Sequence, residues 1–375
     1  LLGYSFNTLY LIFLTVFFSL ILGIVPAWFI STRNFRGKSF FDVVLFLPLA
    51  IPSYIIAFTY SDILSYTGPI QSIFRNNYPE LYKYVNLDYL QIELLGFLMA
   101  LVLYPYLYTA CRISFSLLGS NYINIAKNLG MSQFQTFFKI IIPISRVSIF
   151  SGLFLIIMEV LNEYGAVKYF GVNTFTSGIF RSWYSMQDIN TASILAVCLL
   201  TIVSLFFILE RYTSSKYRYN YKSNDSVSGN YTTNKFSALY IYIICLFPFL
   251  LGFFIPVIYI INNVFKTINI IDFRELLTLS FNSFFLAAIS SIVIVFLAIL
   301  FQFIKKISKS KIVFFFSEIV SLTYALPGAV IALSLILLLA FISKITGISI
   351  VFGSLIILIY AYVMRYMAVG ISPLR

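Results

Sequence analysis

Residues 121–143 read NYINIAKNLGMSQFQTFFKIIIP. Tyr122, Ile125, Ala126 and Leu129 fall at i, i+3, i+4 and i+7, the single apolar stripe of a short helix. Gly130 suits the left-handed residue that ends such a helix. Ser132 with Gln135 three residues later forms a capping box, so a second helix starts there. Its apolar face holds Phe134, Phe137, Phe138, Ile141 and Ile142, with Pro143 just after. A helix–glycine–helix element of this kind must lie against something, and its flanks decide the fold.

Both flanks are apolar runs, and such runs recur along the whole chain. Each has about eighteen or more nearly uncharged residues, enough to cross the roughly 30 Å hydrocarbon core of a bilayer. The pattern predicts spans near residues 7–30, 42–64, 92–114, 146–162, 190–209, 238–262, 279–304, 313–340 and 349–370. The chain's 375 residues are 61% hydrophobic and 10% charged, with a mean hydropathy of +0.95. A soluble fold of this length carries far more surface charge. The reading is an all-α polytopic membrane protein whose main partner is the lipid bilayer.

Basic residues set its orientation. The chain has 25 Lys and Arg against 13 Asp and Glu. In a membrane chain this excess reads as cytoplasmic loop charge, with no nucleic acid implied. Alternating the spans from an outside start collects five clusters on one face: Arg33/Arg36/Lys38, Arg112/Lys127/Lys139/Arg146, Arg211/Lys216/Arg218/Lys222/Lys235, Lys305/Lys306/Lys309/Lys311 and Arg365/Arg375. That face is cytoplasmic, so 121–143 and the polar linker 211–236 are cytoplasmic too.

The chain also repeats itself. SFN at 5–7 returns at 280–282, and AIPSYIIA at 50–57 returns as ALPGAVIA at 325–332, both by the step of 275 that separates Ser5 from Ser280. YPYLY at 104–108 resembles YAYVM at 360–364 at the smaller step from Tyr104 to Tyr360. Matches in order at corresponding spans predict two parallel halves of about six helices each. The same symmetry predicts a partner for span 238–262 about forty residues before Leu1, and a second copy of 121–143 just after Arg375.

Few residues invite chemistry. Gly37-Lys38-Ser39 looks like the end of a phosphate-binding loop, but that motif needs glycine where Thr32 stands, so no nucleotide site is expected. Cys111, Cys198 and Cys245 lie singly in apolar runs, and the chain has no histidine, the commonest general base and metal ligand. No catalytic residue, metal ligand or cofactor is expected. Pro48, Pro52 and Pro327 lie inside spans, where proline frees a backbone carbonyl and bends or unwinds the helix. Pro52 and Pro327 recur at the repeat step and are candidates to line a path, beside simple packing of a bent helix. Glu159 and Glu163, one turn apart at the outer end of a span, are either interhelical hydrogen-bond partners or carboxylates lining that path.

Residues 121–143 resemble the cytoplasmic coupling loop, the EAA loop, of the membrane subunits of ABC importers. Asn124-Ile125-Ala126, Gly130, Ile140, Ile142 and Pro143 carry the likeness at matching spacing; Asn124 and Ile125 depart from its acidic and small positions. EVLNEYGAVKYFGVNTFTSGIFRSWYSMQD (159–188) and LPLAIPSYIIAFTYSDILSYTGPIQ (47–71) are similar to segments of ferric-iron permeases of the FbpB/SfuB type. The resemblance implies a type I importer permease in a bacterial inner membrane. Its partners would be a cytoplasmic ABC ATPase dimer and a periplasmic substrate-binding protein, and its cargo ferric iron, thiamine or another small solute. It divides the chain into a first half at 1–210 with coupling loop 119–143, a linker at 211–237 and a second half at 238–375. It also makes Asn124, Ala126, Gly130, Phe134, Phe137, Phe138, Ile140 and Pro143 the coupling residues. The rival classes are an ion-coupled transporter and a membrane-embedded enzyme. The first needs more buried charge at mid-membrane than Glu159 and Glu318 supply, and the second lacks histidine and clustered carboxylates.

Overall fold

A computed structural model describes residues 1–216, 231–232, 235–308, 320, 323, 326–347 and 354–371. Glu318, Ala325, Arg375 and most of the linker lie outside the described residues. The chain forms two compact units, Leu1–Gly178 with Ser204–Val264, and Ile179–Val203 with Phe265–Arg375.

The first unit begins with α1 (Leu2–Thr32), then α2 (Lys38–Val44), a 3-10 turn (Leu47–Ala50), α3 (Ser53–Leu64), α4 (Pro69–Asn77) and α5 (Pro79–Val85). The long α6 (Ile92–Asn128) follows, then α7 (Gln133–Thr136), a wide π turn (Phe137–Ile141), α8 (Ile142–Ile144) and α9 (Arg146–Asn162). α6 is the buried centre: Leu95, Leu98, Leu101, Tyr104, Leu107, Tyr108 and Cys111 are each at most 1% exposed. α1 and α9 pack against α6 and against each other. Leaving lipid gains these side chains little, so the three-helix core depends on close packing.

The predicted span 42–64 is not one helix. Lys38–Ala50 and Ser53–Asn77 meet at 88°. Pro52 stands before α3 with φ −57° and ψ 141°, and Ile51 before it is extended at φ −96° and ψ 120°. Proline forces this conformation on its predecessor, so the chain cannot stay helical through the pair. Past α10 (Gly165–Tyr169), α11 (Phe175–Phe180) and a π turn (Arg181–Ser185), α12 runs from Ile189 to Lys216. α13 (Lys235–Phe249) and α14 (Ile255–Thr267) are joined by a π turn at Leu250–Phe254. Pro248 and Pro256 each remove a helical donor, and the helix widens between them.

In the second unit Asp188 accepts a hydrogen bond from the Thr191 amide at 3.0 Å and one from its hydroxyl. These bonds hold its carboxyl below the usual range. α15 (Phe273–Ile307), α16 (Gly328–Thr346) and α17 (Leu355–Ile371) complete the unit. α15 and α17 enclose a groove of about 530 Å³ lined by Ser283, Ser290, Ile294, Tyr362, Tyr366 and Gly370. Pro327 repeats the conformation of Pro52, with φ −59° and ψ 135°, immediately before a helix. The carbonyl of Pro52 accepts from Ile55 and Ile56 at 3.0 and 3.3 Å; that of Pro327 accepts from Val330 and Ile331 at 3.0 and 3.1 Å.

Among the described residues, six helices are long and apolar enough to cross a membrane, or eight with each bent pair as one span. With the shorter apolar helix α17 they follow the predicted segments in order. The strand pairing described is two residues long, Arg33–Asn34 beside Tyr231–Thr232.

Candidate functional site

The stretch 121–143 keeps its hinge but loses one of its two helices. The stripe at Tyr122–Leu129 predicts a separate helix; instead it is the last two turns of α6, which runs unbroken from Ile92. α6 stops at Gly130, whose φ is +73°. The Met131 amide donates to the Ala126 carbonyl at 2.9 Å, the bond of a Schellman turn. Beyond it the capping box forms as read: the Gln135 amide donates to Ser132 Oγ at 3.2 Å, and the Ser132 amide donates to Gln135 Oε1 at 3.0 Å. α7 then opens into the π turn, and Gln133–Ile144 meets Arg146–Asn162 at 71°.

Burial sorts the predicted residues into two groups. Ala126 is fully buried, so it packs inside the chain and presents nothing to a partner. Phe137 is half-buried, its ring 5.1 Å from that of Trp28 and 6.4 Å from that of Phe115. Leu129 and Phe134 are each 73% exposed and Phe138 is 51% exposed, with Tyr122 and Ile125 also turned outward. The rings of Phe134 and Phe138 lie 4.5 Å apart, tilted at 50° to each other. Asn124 and Pro143 are exposed and Ile140 is half-buried. The result is one apolar, aromatic cap on the end of α6 and the turn after it. Exposed apolar patches of this kind mark interaction sites.

Glu163 lies at the other end of α9. Its Oε1 accepts from the Ala166 amide at 2.8 Å, capping α10, and its Oε2 accepts from the hydroxyl of Ser53, the first residue of α3. Its carbonyl accepts from Thr176 Oγ1 at 2.9 Å. Gly165 lies so close to Tyr54 that a Cβ there would stand 2.8 Å from the tyrosine Cβ. Glu163 therefore ties the Pro52 break to the loop after α9. Glu159 sits half-buried one turn before it. Pro327 belongs to the second unit, where it precedes α16.

A second tie on the same break escaped the sequence reading. Tyr104, Tyr108 and Arg112 lie four residues apart on one stripe of α6. The Tyr104 hydroxyl donates to the Leu45 carbonyl at 2.8 Å and the Tyr108 hydroxyl donates to Asp42 Oδ1 at 2.8 Å. Arg112 forms an ion pair with Asp42 Oδ2. The spacing was visible in YPYLYTACR, but Arg112 counts there only as loop charge, and Asp42 was not singled out. Among the described residues no group of three His, Cys, Asp or Glu side chains could hold a metal ion.

Residues 19–219 match the family described as "Binding-protein-dependent transport system inner membrane component". The chain is 25% identical over 384 residues to the Fe(3+)-transport system permease protein FbpB 2 of Haemophilus influenzae, covering 98% of this chain and 69% of that protein. It is 30% identical over 161 residues to the molybdenum transport system permease protein ModB of the same organism, covering 42% of this chain and 67% of that protein. It is 25% identical over 166 residues to the sulfate transport system permease protein CysT of Escherichia coli, covering 44% of this chain and 57% of that protein.

Proposed function

The chain belongs to the binding-protein-dependent transport system inner membrane component family, and on that premise we propose that it forms the membrane path for ferric iron in an ATP-driven importer. It is a multi-pass inner-membrane permease. In our reading a cytoplasmic ATPase dimer engages the cap made by Tyr122, Ile125, Leu129, Phe134 and Phe138, and a periplasmic binding protein delivers cargo to the outer face. Closure of the ATPase dimer moves the coupling segment, and the spans alternate between inward and outward access. We also read the chain as two parallel halves, 1–210 and 238–375 joined by the linker 211–237, with Pro52 and Pro327 as equivalent breaks.

The observation that carries iron over the other cargoes is the extent of the likeness. It runs along 98% of this chain for the iron permease, against 42% and 44% for the molybdenum and sulfate permeases. Side-chain chemistry at the Pro52 break agrees with a cation. The Glu163 carboxylate and the hydroxyls of Ser53 and Thr176 are hard oxygen groups, of the kind that suits Fe(III), and a carboxylate repels an oxyanion. Iron is cargo here, passed along a path and not retained.

The test is uptake by the permease assembled with a cognate ABC ATPase and binding protein. Ferric iron, molybdate, sulfate and thiamine are offered in turn. Ferric iron is expected to exceed the others by about tenfold or more, the scale of about 1.4 kcal/mol in discrimination. A preference for molybdate, sulfate or thiamine would overturn the iron assignment and leave the permease reading standing.

A further inference from the structure

The polar stripe on α6 lies between two things the proposed function must connect. At its cytoplasmic end α6 becomes the exposed apolar cap, and Arg112 is ten positions before Tyr122 on the same helix, about 15 Å along its axis. On its flank the stripe grips the broken second span just before the break. Leu45 is the residue that ends α2, so its carbonyl has lost its helical donor, and the buried Tyr104 hydroxyl replaces it. Asp42, one turn earlier, takes both Tyr108 and Arg112. The Ser31 hydroxyl of α1 also donates to the Arg112 carbonyl at 3.3 Å. The break itself is packed closely from behind. A Cβ on Gly252 would stand 3.1 Å from the Pro48 ring and 2.7 Å from the Leu101 carbonyl oxygen, so α6, the break and the π turn share one tight contact.

A part-buried ion pair such as this gives little net stability over a well-packed apolar pair. What Asp42–Arg112 supplies that leucines could not is a directional link of fixed register between two helices. We infer that Tyr104, Tyr108 and Arg112, acting on Leu45 and Asp42, form a clamp that carries displacement of the cytoplasmic cap to the Pro52 break. The clamp makes these positioning residues for transport: they touch no cargo, and they determine whether movement of the cap reaches α3. On the far side of the break Glu163 holds Ser53 to the loop after α9, so the clamp pulls against a latched segment. This inference rests on the reading of the chain as an ATPase-coupled permease.

The experiment uses the full chain assembled with its ATPase and reads movement of α3 directly. Phe58 of α3 and Tyr169 of α10 have ring centroids 5.7 Å apart, so the pair Phe58→Cys with Tyr169→Cys reports on that contact through its disulfide yield under mild oxidation. With the clamp intact, the yield is expected to change about threefold or more between the nucleotide-free state and the state trapped with ATP and vanadate. Asp42→Asn or Arg112→Gln should abolish that change while ATPase co-purification stays within about twofold. The exchanged pair, Asp42→Arg with Arg112→Asp, should restore at least about half of it. A change that survives either single variant overturns the clamp. So does an exchanged pair that fails to restore it, or single variants that lose the ATPase as well, since the residues would then be structural only. If the unmodified chain recovers no ATPase at all, the ATPase-coupled reading fails first, and the clamp falls with it.

Discussion

Gly130 holds φ +73°, yet a Cβ built on it would meet nothing within 4 Å. Space is therefore no obstacle to substitution; backbone conformation is. A β-branched residue there costs about 1–2 kcal/mol, and relief of that strain would turn α7 away from the end of α6. Gly130→Val should insert and accumulate like the parent but lose most ATP-driven uptake, measured beside membrane yield in the same cells. Uptake equal to the parent would mean that the turn does not position the cap. The glycine and the Ser132–Gln135 box were legible in the sequence because capping chemistry is local, set by residues three or four apart. The fate of Ala126 was not legible. Its stripe-mates Tyr122, Ile125 and Leu129 face outward while it faces the chain, because the rotation of that last stretch is inherited from the packing of all of α6.

At the scale of elements, the π turn at Phe137–Ile141 divides an aromatic run that reads as one face. Phe137 turns inward to Trp28, and Phe134 and Phe138 stay out. Two similar substitutions should therefore fail differently. Phe137→Asp sets a carboxylate among aromatic rings and should destabilise the fold by about 2–4 kcal/mol, lowering the yield of detergent-stable protein. Phe134→Asp should leave stability within about 0.5 kcal/mol of the parent and weaken ATPase co-purification about tenfold. The pair is measured by thermal aggregation and by pull-down side by side. Equal loss of binding in both, with stability untouched, would return Phe137 to the partner surface. The break in the second span was half legible. The prolines announced a bend, but nothing local distinguishes a bent helix from one that turns through 88°. The Asp42–Arg112 pair was hidden for a different reason: its partners lie seventy positions apart, and pairing at that separation is a property of the packed fold.

At the scale of the whole chain, the charge asymmetry of the loops makes a claim that can be checked without knowing the cargo. Lys139 is exposed beside the cap, and Tyr184 is 69% exposed in the segment after α11. In spheroplasts, Tyr184→Cys should react with a membrane-impermeant maleimide, and Lys139→Cys should react only after permeabilisation. The reverse pattern would invert the topology. The order of spans was the most legible feature of the molecule, since twenty apolar residues in a row have few other solutions. α6 adds a consequence of its own. It is 37 residues long, about 55 Å, against a hydrocarbon core of roughly 30 Å, so it outruns the bilayer by several turns. Its last ten residues make a lever arm of about 15 Å, and a tilt of about 15° at its fulcrum sweeps the tip through roughly 4 Å. A helix that outruns its bilayer in this way gears small rotations inside the membrane to strokes, at the protruding end, of about three-quarters of a helical turn.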